Sequence, residues 1–160
     1  MEKVINVAQF IMDVYSKISG HNIDEMKLHK LLYLSQRESY AIMNEPLFQE
    51  DFEGWKYGPV CRIVRNEFAE DGLVCETSRI SDEAMYIVKN VISQYGFFES
   101  WKLSELTHKE TSWKNARIGL SSQQNGNRIL SKIDIIKDSE KVRPYDSIWD
   151  MYYDEFEDSE

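Results

Sequence analysis

The run Gly54-Trp55-Lys56-Tyr57-Gly58-Pro59-Val60 constrains this chain more than any other segment. Glycine tolerates backbone angles and close approaches that a side chain forbids. Pro59 fixes its own φ and pushes Gly58 toward an extended conformation. The apolar periodicity that begins at Val60 makes Pro59 a suitable first residue of a helix. The run therefore predicts an extended segment, 52–57, turning sharply into a helix, with Gly54, Gly58 and Pro59 as its structural residues. In a strand Trp55 and Tyr57 share one face and Lys56 points to the other. The two rings either fill a core or face a partner.

Helical spacing dominates the rest of the chain. Val4, Val7, Ala8, Ile11, Val14, Tyr15 and Ile18 form an apolar stripe that Gly20 ends. Asn22 or Asp24 can cap a second helix carrying Met26, Leu28, Leu31, Leu32, Leu34, Ile42 and Met43. A third is expected from Pro59 to about Asp71, stopped by Gly72, with Val60, Ile63, Val64 and Phe68 inward. Ser81 caps a fourth, closed by Gly96. Two short helices are expected at 100–107 and around 112–118. Another runs through Ile129, Ile133, Ile135 and Ile136, where the isoleucines also suit a strand. Asp146 caps a last one with Ile148, Trp149, Tyr152, Tyr153 and Phe156. The expected fold is mainly α: one compact multi-helix domain, with at most a small β-hairpin formed near residues 52–57 and 73–79. Residues 1–140 make the domain, and 141–160 an acidic C-terminal helix or tail.

The charge is uneven. Residues 1–99 carry 10 basic and 16 acidic groups, 100–132 carry 6 and 2, and 133–160 carry 3 and 10. A net charge of −9 makes a general nucleic-acid binder a poor fit, because phosphate neutralisation dominates that affinity. No apolar run approaches a membrane span, and the first residues lack the apolar core of a signal peptide. A cytoplasmic location is expected, with Cys61 and Cys75 as reduced thiols.

No phosphate-binding loop, dinucleotide fingerprint or nucleophile elbow is present in the sequence. His21, His29 and His108 lack zinc-ligand spacing, so neither metal nor cofactor is expected. Cys61 with a distant histidine, or His108, would have to carry any hydrolysis, but Cys61 falls in the first turn of a predicted amphipathic helix and an active cysteine needs an activating partner. The expectation is a non-enzyme. Thr107 and His108 end one short helix just before the next, and satisfying backbone groups there is the usual task of such residues, with Trp113 packing the corner. The alternative groups His108, Lys109, Lys114 and Arg117 as a cationic patch for an acidic partner. Lys27, Lys30, Tyr33, Gln36 and Arg37 read as a solvated helix face. In the tail, the aromatics Tyr152, Tyr153 and Phe156 amid carboxylates suit contact with a basic partner.

Several motifs in order then mark a family. They are Ala8-Gln9-Phe10-Ile11, the stretch from Met26 to Gln36, Pro46-Leu47-Phe48, Trp55 to Val60, Leu103 to His108, and Trp113-Lys114. Together they resemble the Panacea domain of SocA-like antitoxins, also met as phage-associated proteins. His29 stands where glutamine is common, and Thr111-Ser112-Trp113 replaces a more acidic, proline-containing approach. The resemblance implies a helical, non-enzymatic antitoxin that neutralises a cognate toxin by direct contact. It also admits a proteolytic adaptor delivering a client to a ClpXP-type protease, and a phage-encoded regulator without a toxin. The resemblance brings no catalytic residues with it. The candidate contact residues are Trp55, Lys56, Tyr57, His108, Lys109, Lys114, Tyr152, Tyr153 and Phe156; Gly54, Gly58, Pro59, Thr107 and Trp113 are the structural ones.

Overall fold

A computed structural model of the chain describes residues 1–69 and 71–142. The order is α1 (Val4–Ser19), α2 (Glu25–Met43), β1 (Glu53–Trp55), β2 (Gly58–Val60), α3 (Arg62–Glu67), β3 (Phe68–Ala69), β4 (Gly72–Leu73), α4 (Asp82–Tyr95), α5 (Ser100–Thr107), α6 (Thr111–Ala116) and α7 (Lys132–Glu140). The mainly helical architecture is the expected one. The caps follow local chemistry. Asp24 accepts from the Lys27 N–H at 2.8 Å, and Ser81 accepts from the Ala84 N–H at 3.2 Å. Gly20 ends α1 in the left-handed region at φ 81°, and Asn44 ends α2 there at φ 57°.

α2 is the central element. It packs against α1, α4, α5, α7 and β2, and every residue from Lys27 to Tyr40 is buried. Its leucines 28, 31, 32 and 34 join Val4, Val7 and Ile11 of α1 and Ile87, Val88, Val91 and Ile92 of α4 in one core. Phe48 and Phe52 close one side, with Tyr33 edge-on to Phe52 at 5.6 Å. The reading of Lys27, Lys30, Tyr33, Gln36 and Arg37 as a solvated face is overturned. All five are buried, because the short segments after α2 wrap around it and use these side chains as anchors.

The strand pairing also differs from expectation. β1 pairs antiparallel with β2, not with residues 73–79, in the register Glu53↔Val60, Gly54↔Pro59, Trp55↔Gly58. Lys56 and Tyr57 form a two-residue turn, and Gly58 closes it at φ 122°, a value that favours glycine. Pro59 is thus a strand residue, not the start of a helix; α3 begins at Arg62 and ends at Glu67. Gly72, expected as a helix stop, lies instead in β4, which pairs with β3. On the other edge of β1, the Gly54 N–H donates to Arg128 O at 2.8 Å, the Leu130 N–H donates to Phe52 O at 2.9 Å, and Ile129 bridges Glu53. The isoleucine-rich segment is strand-like at Ile129 before Ser131 starts α7. The expected last helix from Asp146 lies outside the described residues.

Candidate functional site

Most buried polar residues of α2 hold other segments of the chain. Lys27 donates to Tyr15 Oη at 3.2 Å and to the carbonyl of Gly96 at 3.0 Å, fixing the end of α4. Gln36 accepts from the Leu47 N–H at 2.7 Å and donates to Phe48 O at 2.8 Å. The hydroxyl of Ser39 donates to Glu45 O at 2.8 Å. Tyr33 Oη lies 2.9 Å from Ser112 Oγ, 3.1 Å from Asp138 Oδ2 and 3.3 Å from Glu110 Oε2. Arg37 pairs with Glu110 and donates to Tyr95 Oη at 3.2 Å. Buried polar groups must find partners, and here the partners are the chain's own loops and helix ends.

Asp138 of α7 accepts the N–H groups of Thr111 and Ser112 at 2.8 and 2.9 Å, so it caps α6 from outside. Burial alone would raise its carboxyl, but the Ser112, Thr111 and Tyr33 donors outweigh burial and hold it below the usual range. Glu110 moves the opposite way: burial raises it against the pull of Arg37.

One cleft of about 510 Å³ opens between the first turns of α2, the β1–β2 turn and α3. Met26, Trp55, Tyr57 and Val60 line it with apolar surface, while Glu25, His29, Lys30, Lys56 and Arg65 supply charge and hydrogen bonds. The Cys61 N–H donates to His29 Nδ1 at 3.2 Å, which leaves the ring proton on Nε2 facing Glu25 Oε2 at 3.1 Å. Burial lowers His29 and keeps it neutral. Glu25 also accepts from Arg65 at 2.6 Å. The His29 bond comes first, and with Arg65 it outweighs burial and draws the Glu25 carboxyl down to about 2. Lys30 lies at the floor. Its Nζ donates to Pro59 O at 3.2 Å, and burial, opposed by Asp24 and Glu25, lowers the ammonium to about 7.

Trp55, Lys56 and Tyr57 all line this cleft. The turn overrides strict strand alternation, and the Lys56 ammonium sits 5.0 Å from the Tyr57 ring centre rather than on the opposite face. Tyr57 is 56% exposed. Trp55 is half-buried, with its indole N–H on Glu53 Oε1 at 3.0 Å and the guanidinium groups of Arg62 and Arg65 at 5.2 and 5.5 Å.

The second group of expected residues divides. Trp113 packs the corner between α5 and α6, donating its indole N–H to Trp55 O at 2.8 Å and stacking on His108 at 4.1 Å. Thr107 is buried and donates to Ser104 O at 2.9 Å. Lys109 and Lys114 are exposed. Arg117 does not join them at the surface. It is buried, donating to the carbonyls of Gly54, Ser121 and Gln124 at 3.0, 3.0 and 2.5 Å. Tyr152, Tyr153 and Phe156 lie outside the described residues.

The arrangement does not favour nucleophilic chemistry. Burial pushes the Cys61 thiol up to about 11, and its contact with His29 runs through its backbone N–H. The Ser104 hydroxyl donates to Tyr57 O at 2.5 Å, so its proton is already committed although His108 Nε2 lies 3.4 Å away. Among the described residues no three His, Cys, Asp or Glu side chains gather as metal ligands, and no helix is long and apolar enough to cross a membrane. Sequence reasoning placed Tyr33 on a solvated face and missed Glu110 and Asp138. Only the position of Tyr33 on the helix-spaced leucine stripe hinted at burial.

The family model described as antitoxin SocA-like, Panacea domain, matches residues 28–114, more than half of the chain. No curated protein matches, and no solved structure matches. The matched span runs from Leu28 through the cleft hairpin to Lys114, and so includes most of the α2 anchors and the Trp113 corner.

Proposed function

This chain belongs to the SocA-like antitoxin family with a Panacea domain, and on that premise we propose that it neutralises a cognate toxin by direct protein contact. The observation that carries the reading is the division of labour around α2. The polar residues of that helix are spent on holding the fold, whereas the Lys56-Tyr57 turn stands out from it with an apolar and cationic cleft beside it. An exposed aromatic next to a flexible cation is a common anchor in protein interfaces. The family is generally non-enzymatic, and the protonated Cys61 thiol and committed Ser104 hydroxyl support the same view. Lys109 and Lys114 supply further exposed cations on the α5–α6 side.

The reading expects a toxin-like gene beside this one, and co-expression with its product tests it. Growth is restored if the chain is its antitoxin. A toxin that stays lethal beside abundant soluble protein rejects it. Measuring the toxin's half-life with and without the ClpXP-type protease separates the two mechanisms. Direct neutralisation leaves the half-life unchanged, whereas an adaptor shortens it only when the protease is present.

A further inference from the structure

We propose that the cleft between α2 and the β1–β2 turn receives an acidic side chain of the partner protein, whose carboxylate passes Trp55 and Tyr57 and pairs with the Lys30 ammonium at the floor. This rests on the reading of the chain as a toxin-binding protein and names the chemistry that the cleft selects.

Three observations carry it. Lys30 is almost fully buried, 1% exposed, yet it lines the cleft and finds one acceptor among the described residues, Pro59 O. An ammonium has three donors, and a buried donor without a partner is costly. Next, Glu25, the sole carboxylate lining the cleft among the described residues, is already held by His29 and Arg65. The cations Lys56 and Arg65 also line it, so an incoming anion meets a surplus of positive charge. Finally, Met26, Val60, Trp55 and Tyr57 make the walls apolar, which lowers the local dielectric and strengthens a pair formed there. The lysine is compact and single-pronged and suits one carboxylate oxygen, with Lys56 placed at the turn to steer the approach.

The groups that face Lys30 set its response to pH. Asp24 and Glu25 at the start of α2 favour its charged form. His29, one residue away, and His108, just after α5, are both lowered by burial and stay neutral above about pH 6.5. Lys56 of the turn and Arg65 of α3 also line the cleft. Lys30, lowered to about 7, changes charge across about pH 6.5 to 8.5, so carboxylate binding takes up a proton at the alkaline end.

The test uses the full chain and a defined probe, N-acetyl-glutamate N-methylamide, followed by NMR at the Trp55 indole N–H. The expected result is a saturable shift confined to cleft residues, at least about tenfold stronger than with the glutamine counterpart, and about tenfold weaker at pH 8.5 than at 6.5. Lys30→Met abolishes it. Lys56→Ala sits in the solvent-facing turn and keeps the fold, and it weakens the probe several-fold. Equal response to the glutamate and glutamine probes, or a shift without saturation, overturns the proposal. Equal binding of an acetylated glycine with a free C-terminal carboxylate overturns the side-chain assignment. Growth rescue without probe binding sinks this inference alone, and probe binding without rescue sinks the antitoxin reading instead.

Discussion

Gly58 and Lys30 share one space: a Cβ built on Gly58 would lie 2.5 Å from Lys30 Cε and 2.8 Å from Thr107 Oγ1. Gly58 also sits at φ 122°, where an L side chain is strained. Both effects act against any larger residue, and the lysine cannot simply swing away because its Nζ is tied to Pro59 O. Gly58→Ala should cost about 2–4 kcal/mol in urea unfolding. Gly20 separates strain from crowding. It has φ 81° but no atom within 4 Å of its would-be Cβ, so Gly20→Ala should cost only about 1 kcal/mol. Equal losses for the two would refute the crowding.

How far the sequence foretold this structure varies with the kind of signal. Helices marked by a cap or stop and an apolar stripe, α1, α2 and α4, were legible because cap chemistry and periodicity are local. The hairpin was half legible. Gly58-Pro59 did announce a sharp turn, but a proline suits an edge strand and a helix start equally, and only the pairing of Gly54 with Pro59 decides between them. The burial of Lys30, Tyr33 and Arg37 was not legible. Their polarity predicts solvent, and what buries them is the return of Pro59, Ser112 and Glu110 from 29, 79 and 73 residues away. In the candidate site, Trp55, Lys56 and Tyr57 were found by composition, whereas Lys30 joins them only through the packing of β2 against α2, and Glu25 and Arg65 through their ion pair.

Asp138 joins three elements, so its loss should be felt in all of them. Asp138→Ala removes acceptors for two α6 N–H groups and for Tyr33 and should cost about 3 kcal/mol. Tyr33→Phe keeps the ring against Phe52 and should cost about 1 kcal/mol. The double variant should fall short of the sum, because the two changes break one shared bond. Strict additivity in chemical denaturation would show that the Tyr33–Asp138 contact contributes nothing.

Glu25 ties acid stability to the cleft. Its folded carboxyl is drawn from 4.5 to about 2, so its stabilising contribution is complete above the ordinary value and disappears as pH falls from about 4.5 to about 2. Partial exposure and screening reduce it to about 1 kcal/mol. Glu110, raised by burial, works with the opposite sign, so the comparison must be between wild type and Glu25→Gln. The gap between the two stability curves should close across that window. A gap that stays constant down to pH 2 would mean that His29 and Arg65 do not hold this carboxylate.

Lys30 should leave a mark at the alkaline side. Its folded value, about 7, lies below the ordinary 10.5, so the unfolded chain binds more protons between these values and stability rises with pH there. Above pH 9 the raised Cys61 thiol opposes this. The clean window is therefore about pH 7 to 8.5. Wild type should gain stability across it, and Lys30→Met should not. A flat wild-type curve would show that Lys30 keeps its proton when folded.

The exposed turn is where fold and binding should come apart. Tyr57 is 56% exposed, and its close cationic neighbour is Lys56. Removing the ring by Tyr57→Ala should change unfolding free energy by no more than about 0.5 kcal/mol. The same variant should weaken toxin binding about tenfold or more, as truncating an interface anchor does. Trp55→Ala should lose both stability and binding, because the Trp55 indole bonds Glu53 and supports two guanidinium groups. Calorimetry on the purified pair, with thermal melts of each variant alone, measures the two effects separately. Should Tyr57→Ala and Lys56→Ala bind the toxin as wild type does, the contact surface lies elsewhere, and the exposed Lys109 and Lys114 become the residues to replace next.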